Sequence, residues 1–86
     1  MVIKWKDVRQ AAEHVHRART RFLHEVKEGL WPPCVELGPR NRPWMEHELD
    51  EVLGARIRGA SDEEVKVVVK EIVERRQRFG IDEVAA

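Results

Sequence analysis

The sequence predicts a small, mostly α-helical fold with one short β-hairpin. Three observations point there. Apolar residues recur at helical spacing in four segments, glycine and proline punctuate the gaps between them, and Ser61-Asp62-Glu63-Glu64 is a capping-box helix start. The chain has 86 residues, room for one compact unit. It holds no internal repeat and no low-complexity segment.

The first helix is expected from about Trp5 to His14, because Trp5, Val8, Ala12 and Val15 share one helical face. His16-Arg17-Ala18-Arg19-Thr20 is a polar, basic joint, with Thr20 as a possible N-cap. The second helix turns Phe22, Leu23, Val26 and Leu30 inward. Gly29 stands at its C-cap, and Trp31-Pro32-Pro33 prevents continuation. Two short helices with a tight basic joint form a helix-turn-helix pattern.

Cys34–Leu37 and Arg42–Trp44 are short extended stretches flanking the turn Gly38-Pro39-Arg40-Asn41, which predicts the hairpin. Pro39 and Pro43 confine it to edge pairing. Trp31 and Trp44 are expected in the core, and Cys34 as a small packed hydrophobe.

The third helix is expected from about Met45 to Arg58, with an apolar stripe of Leu49, Val52, Leu53 and Ile57. Its early acids suit the positive end of the helix dipole. The fourth starts at Ser61 and carries Val65, Val68, Val69, Ile72 and Val73, with Phe79 extending the stripe and Gly80 ending it. That makes roughly 18 residues, or ~27 Å. Such a stripe packs on its own chain or on a second copy, so these five residues are candidates for a dimer or partner interface. Gly59-Ala60 divides residues 1–58 from a C-terminal extension, 59–86.

Several functional classes lose support. There is one cysteine, which excludes an internal disulfide and a CxxC zinc pair. The four histidines show no ligand spacing, and no phosphate loop or nucleophile motif is present. No enzyme activity, metal or cofactor is therefore expected. No apolar run approaches a membrane span, and the first residues lack a signal-peptide layout, so a cytoplasmic location is expected. The zero net charge hides an asymmetry. Residues 1–44 hold nine basic and five acidic residues, and residues 45–86 hold seven basic and eleven acidic. A basic first half at +4 is compatible with a polyanionic partner.

The run Val26-Lys27-Glu28-Gly29-Leu30-Trp31-Pro32, then Val35-Glu36-Leu37-Gly38-Pro39-Arg40 and Trp44, resembles the AlpA family of prophage regulators. These are winged helix-turn-helix proteins related to phage excisionases and, more distantly, to MerR-type DNA-binding domains. The likeness covers about Lys6 to Arg58. It departs from the family in the second helix, where Arg21 and Leu23 replace a common threonine and tyrosine, and in lacking a glycine near His14 or Val15.

The resemblance implies double-stranded DNA as partner, with the second helix in the major groove. Arg19 and Arg21 would reach bases, and Arg17 and Thr20 phosphates, while His24 and Lys27 would touch backbone or a base edge. The hairpin would act as a wing, placing Arg40, Asn41 and Arg42 on phosphate or in the minor groove. A footprint this small implies a homodimer or cooperative assembly on DNA. Two other functions stay open: an excisionase-like architectural protein, and a protein-interaction module working through the fourth helix.

Overall fold

The computed structural model describes residues 2–79. Within them the chain forms strand β1 (Trp5–Lys6), helices α1 (Val8–His14) and α2 (Arg19–Lys27), strand β2 (Trp44–Met45), and helices α3 (Glu46–Ile57) and α4 (Asp62–Arg75). A 3-10 turn, Arg76–Arg78, continues α4. The fold is thus mostly helical with a small antiparallel sheet, as the sequence pattern predicts. Among the described residues no helix is long and apolar enough to cross a membrane.

The sheet is not the one expected. Trp5 pairs with Met45, and Lys6 with Trp44. Trp5 therefore opens a strand rather than a helix, and it is 42% exposed. The cause is a cap. Asp7 Oδ1 accepts the Gln10 N–H at 2.8 Å, and Gln10 Oε1 accepts the Asp7 N–H at 3.0 Å. This box starts α1 at Val8 and leaves the preceding residues extended.

Residues 34–43 do fold back on themselves. The Val35 N–H donates to Pro43 O at 2.8 Å and the Leu37 N–H to Asn41 O at 2.9 Å. The expected ladder is reduced to a bridge between Gly38 and Asn41. Pro39 and Pro43 have no N–H to give, so the regular pairing moves to Trp44 and its partner Lys6.

Three helices end in the same hydrogen-bonded motif. After α2 the Leu30 N–H reaches Glu25 O and the Gly29 N–H reaches Val26 O; after α3 the Ala60 N–H reaches Ala55 O and the Gly59 N–H reaches Arg56 O. Gly29 and Gly59 adopt φ of 83° and 88°, which this motif demands. After α1 the pattern repeats, with Arg17 N–H to Ala12 O and His16 N–H to Glu13 O, but the left-handed position is His16, at φ 61°.

A side chain there costs about 1–2 kcal/mol, partly offset by glycine's larger unfolded entropy. His16→Gly is therefore expected to stabilise the protein by about 0.5–1 kcal/mol, raising Tm by roughly 2–8 °C. A lower Tm in thermal unfolding followed by circular dichroism would contradict this.

Phe22 sits at the centre of the core with no exposure. Its ring lies 5.2 Å from that of Trp44, edge-on, and 6.2 Å from that of Trp31. Ala11, Ala12 and Val15 of the α1 segment, Leu49 and Val52 of α3, and Val65, Val69 and Ile72 of α4 complete one cluster. The core thus runs across the boundary at residues 58 and 59. Val68 and Val73 are half-buried.

Two stripe residues are corrected. Ile57, on the last turn of α3, is 85% exposed, and Phe79, beyond the end of α4, is 46% exposed. The helix is shorter than expected because Arg76–Arg78 tightens into a 3-10 turn, and Gly80 lies outside the described residues.

Candidate functional site

Helix α2 is built differently from its neighbours. α1 and α4 begin with capping boxes at Asp7 and Ser61, and α3 carries Glu46 and Glu48 in its first turn. α2 has Ala18 at the N-cap, no capping side chain and no acid in its first turn. Thr20, expected as the cap, is the second helical residue. Among the described residues, the backbone N–H groups of Arg19, Thr20 and Arg21 have no acceptor. Arg17, Arg19 and Arg21 add positive charge where the helix dipole is already positive. An anion is what this terminus lacks.

Beside that terminus lies an open groove of about 580 Å³. Arg19 and Leu23 of α2 form one wall, Arg40, Asn41 and Arg42 the other, and Cys34 and Trp44 also line it. Trp44 is buried, and its indole N–H donates to Pro32 O at 2.8 Å, which anchors the end of the 34–43 loop. Cys34 is half-buried beside the core. The one acid on the groove is Asp7, whose carboxylate caps α1. Among the described residues, Arg19, Arg40 and Arg42 form no ion pair. Four of the nine residues singled out in the sequence thus converge from two elements 21 or more positions apart.

Arg17 and Arg21 are placed elsewhere. Both hold Glu25, a glutamate only 9% exposed. Glu25 Oε1 accepts from the Trp31 indole at 2.8 Å and from Arg17 Nε at 3.2 Å. Glu25 Oε2 accepts from Arg21 Nε at 3.4 Å. Burial pushes the Glu25 carboxyl up, but the Trp31 indole and the two guanidiniums outweigh it and hold the pKa below the ordinary 4.5. Glu25 is therefore ionised at neutral pH.

Thr20, His24 and Lys27 are exposed. At 100° per residue they occupy one outward strip of α2, opposite Phe22. His24 Nε2 lies 2.7 Å from Glu28 Oε1, and both side chains are largely exposed.

The residues expected to meet a partner on α4 divide. Val65, Val69 and Ile72 are buried in the chain's own core at 0%, 6% and 2% exposure, and Val68 and Val73 are half-covered. The stripe is used within the molecule, and the exposed valine of α4 is Val67.

Sequence reading missed the Glu25 cluster. Its signal was present: a glutamate on the apolar face, between Phe22 and Val26, four residues after Arg21. It also missed the bare N-terminus of α2, which Ala18 marks. Among the described residues no group of three or more His, Cys, Asp or Glu side chains is placed to hold a metal ion. Comparison with protein-family models, with curated proteins and with solved structures finds no match in any of the three.

Proposed function

We propose that the protein is a sequence-specific regulator that binds double-stranded DNA through a winged helix-turn-helix, of the kind found in AlpA-type prophage regulators. α2 would enter the major groove, about 12 Å wide and able to admit one helix. The 34–43 loop would act as the wing, on phosphate or in the minor groove. The observation that carries this reading is the groove that unites Arg19 with Arg40, Asn41 and Arg42, its three guanidiniums without a carboxylate partner among the described residues. The uncapped, cation-rich start of α2 supports it, because a phosphate there would satisfy both the free N–H groups and the arginines. The outward strip Thr20, His24 and Lys27 supplies side chains for base edges. One copy covers few phosphates, so two copies on adjacent half-sites, or a cooperative array, would provide the affinity that regulation needs.

The test is a fluorescence-anisotropy titration with a randomised DNA pool at low and physiological salt, with the bound fraction sequenced. One enriched motif and a steep loss of affinity with salt are expected. Replacing Arg19, Arg40 and Arg42 by glutamine should flatten the slope of log K against log salt by about 2.7, at ~0.9 per phosphate contact. Binding without enrichment, or none, would reject the reading.

A further inference from the structure

We propose that Glu25 is a positioning residue that assigns Arg17 and Arg21 to the DNA backbone and leaves base reading on α2 to Thr20, His24 and Lys27. The inference rests on the DNA-binding reading above and refines it, because the family resemblance gave Arg19 and Arg21 to the bases and Thr20 to phosphate.

The geometry starts at a buried carboxylate. Glu25 is fixed by the Trp31 indole at 2.8 Å, on a ring that is itself 3% exposed. Its two oxygens take Arg17 Nε at 3.2 Å and Arg21 Nε at 3.4 Å. Each guanidinium is thus held by its inner nitrogen, and the outer Nη groups are what Arg21 can offer a ligand. The direction of the tether matters. On a helical wheel Thr20, His24 and Lys27 fall within about 60° of one another, and Arg21 lies about 60° beyond His24, on the side of Glu25. Its tie to Glu25, one turn further along, draws it to the flank of α2, where a helix in the major groove meets a phosphate strand. Among the described residues Arg19 has no such tie, and it faces the groove on the opposite flank.

Charge follows the same division. One carboxylate shared by two guanidiniums leaves one net positive charge on the Glu25 flank, so this flank binds phosphate moderately and in fixed register. Without the Glu25 charge the two arginines would be mobile and their charges uncompensated. They would then grip any sequence more strongly and read none better.

Glu25→Gln keeps the shape and the acceptor for Trp31 while removing the charge. Three quantities are read by anisotropy: affinity for random DNA, affinity for the selected motif, and the salt slope. The variant is expected to bind random DNA more tightly, to steepen the salt slope by up to about 0.9, and to lose about tenfold in the ratio of motif to random affinity. Parallel changes on both DNAs with an unaltered slope would overturn the proposal, since a merely structural role moves both alike. Should Glu25→Gln fail to fold, Arg21→Gln serves, because that side chain is 69% exposed. It should flatten the slope by about 0.9 and leave the selected motif unchanged, and a changed motif would overturn the proposal. Absence of DNA binding by the unaltered protein would remove the DNA-binding reading and this inference together. Specific binding whose motif-to-random ratio Glu25→Gln leaves intact would remove this inference alone.

Discussion

A chain ending at Gly59 is expected not to fold. The sequence pattern offers residues 59–86 as an extension, yet α4 supplies Val65, Val69 and Ile72 to the central cluster. Fully burying an aliphatic side chain contributes about 1.5–3 kcal/mol, so the three contribute roughly 5–9 kcal/mol. Small domains have total stabilities near the low end of about 5–15 kcal/mol. Cutting after Gly59 also removes Arg76 and leaves Glu48 buried without its counter-ion. The shortened chain should show little far-ultraviolet helix signal and no cooperative urea transition. A cooperative transition with near-native helix content would show that the first three helices stand alone.

This expectation separates what the sequence discloses from what it conceals. Helical spacing located all four helices, because 3.6-residue periodicity is written locally in the apolar residues. The stops at Gly29 and Gly59 were also legible, since a left-handed position favours glycine. The stop after α1 was harder, because His16 takes that position with no glycine to mark it. The start of α1 was misplaced because Trp5 fits a helical stripe equally well. What decides is the Asp7–Gln10 box, together with the strand partner forty residues away. Partners at such separation leave no local trace.

The site divides in the same way. The arginines of the joint and of the turn were visible as charges. Which of them stay free was not, because that depends on which carboxylate folds next to which guanidinium. Glu25 takes Arg17 and Arg21, whereas Arg19, Arg40 and Arg42 meet across a groove that only the folded loop creates. Likewise the valine stripe of α4 was correctly read as apolar, but apolarity alone could not say that α3 and the core would cover it.

The second large effect is expected at Arg76. Its guanidinium makes a two-pronged contact with Glu48, with Nε 3.0 Å from Oε2 and Nη2 on Oε1. The same Nη2 donates to Pro33 O at 2.7 Å. Side-chain exposures of 18% for Arg76 and 7% for Glu48 make this the most enclosed ion pair among the described residues. Removing one partner of such a pair strands a buried charge, at about 3–5 kcal/mol. Arg76→Ala should therefore lower Tm by at least about 12 °C, taking the small-domain conversion of ~4 °C per kcal/mol. The double variant Glu48→Leu, Arg76→Met should recover most of this, because a well-packed apolar pair often replaces a buried ion pair without loss. Equal damage in both variants would mean that the bond to Pro33 matters more than the charge. That bond also reaches the candidate site. Pro33 follows the residue whose carbonyl holds the Trp44 indole, so Arg76 and Trp44 grip adjacent carbonyls of the same stretch. Between them they fix the base of the loop that carries Arg40, Asn41 and Arg42. On the proposed DNA-binding reading, Arg76→Ala should accordingly weaken binding to all sequences even at temperatures where the protein remains folded, whereas Arg75, whose ion pair is with Glu51 of α3, should tolerate alanine with little change in binding.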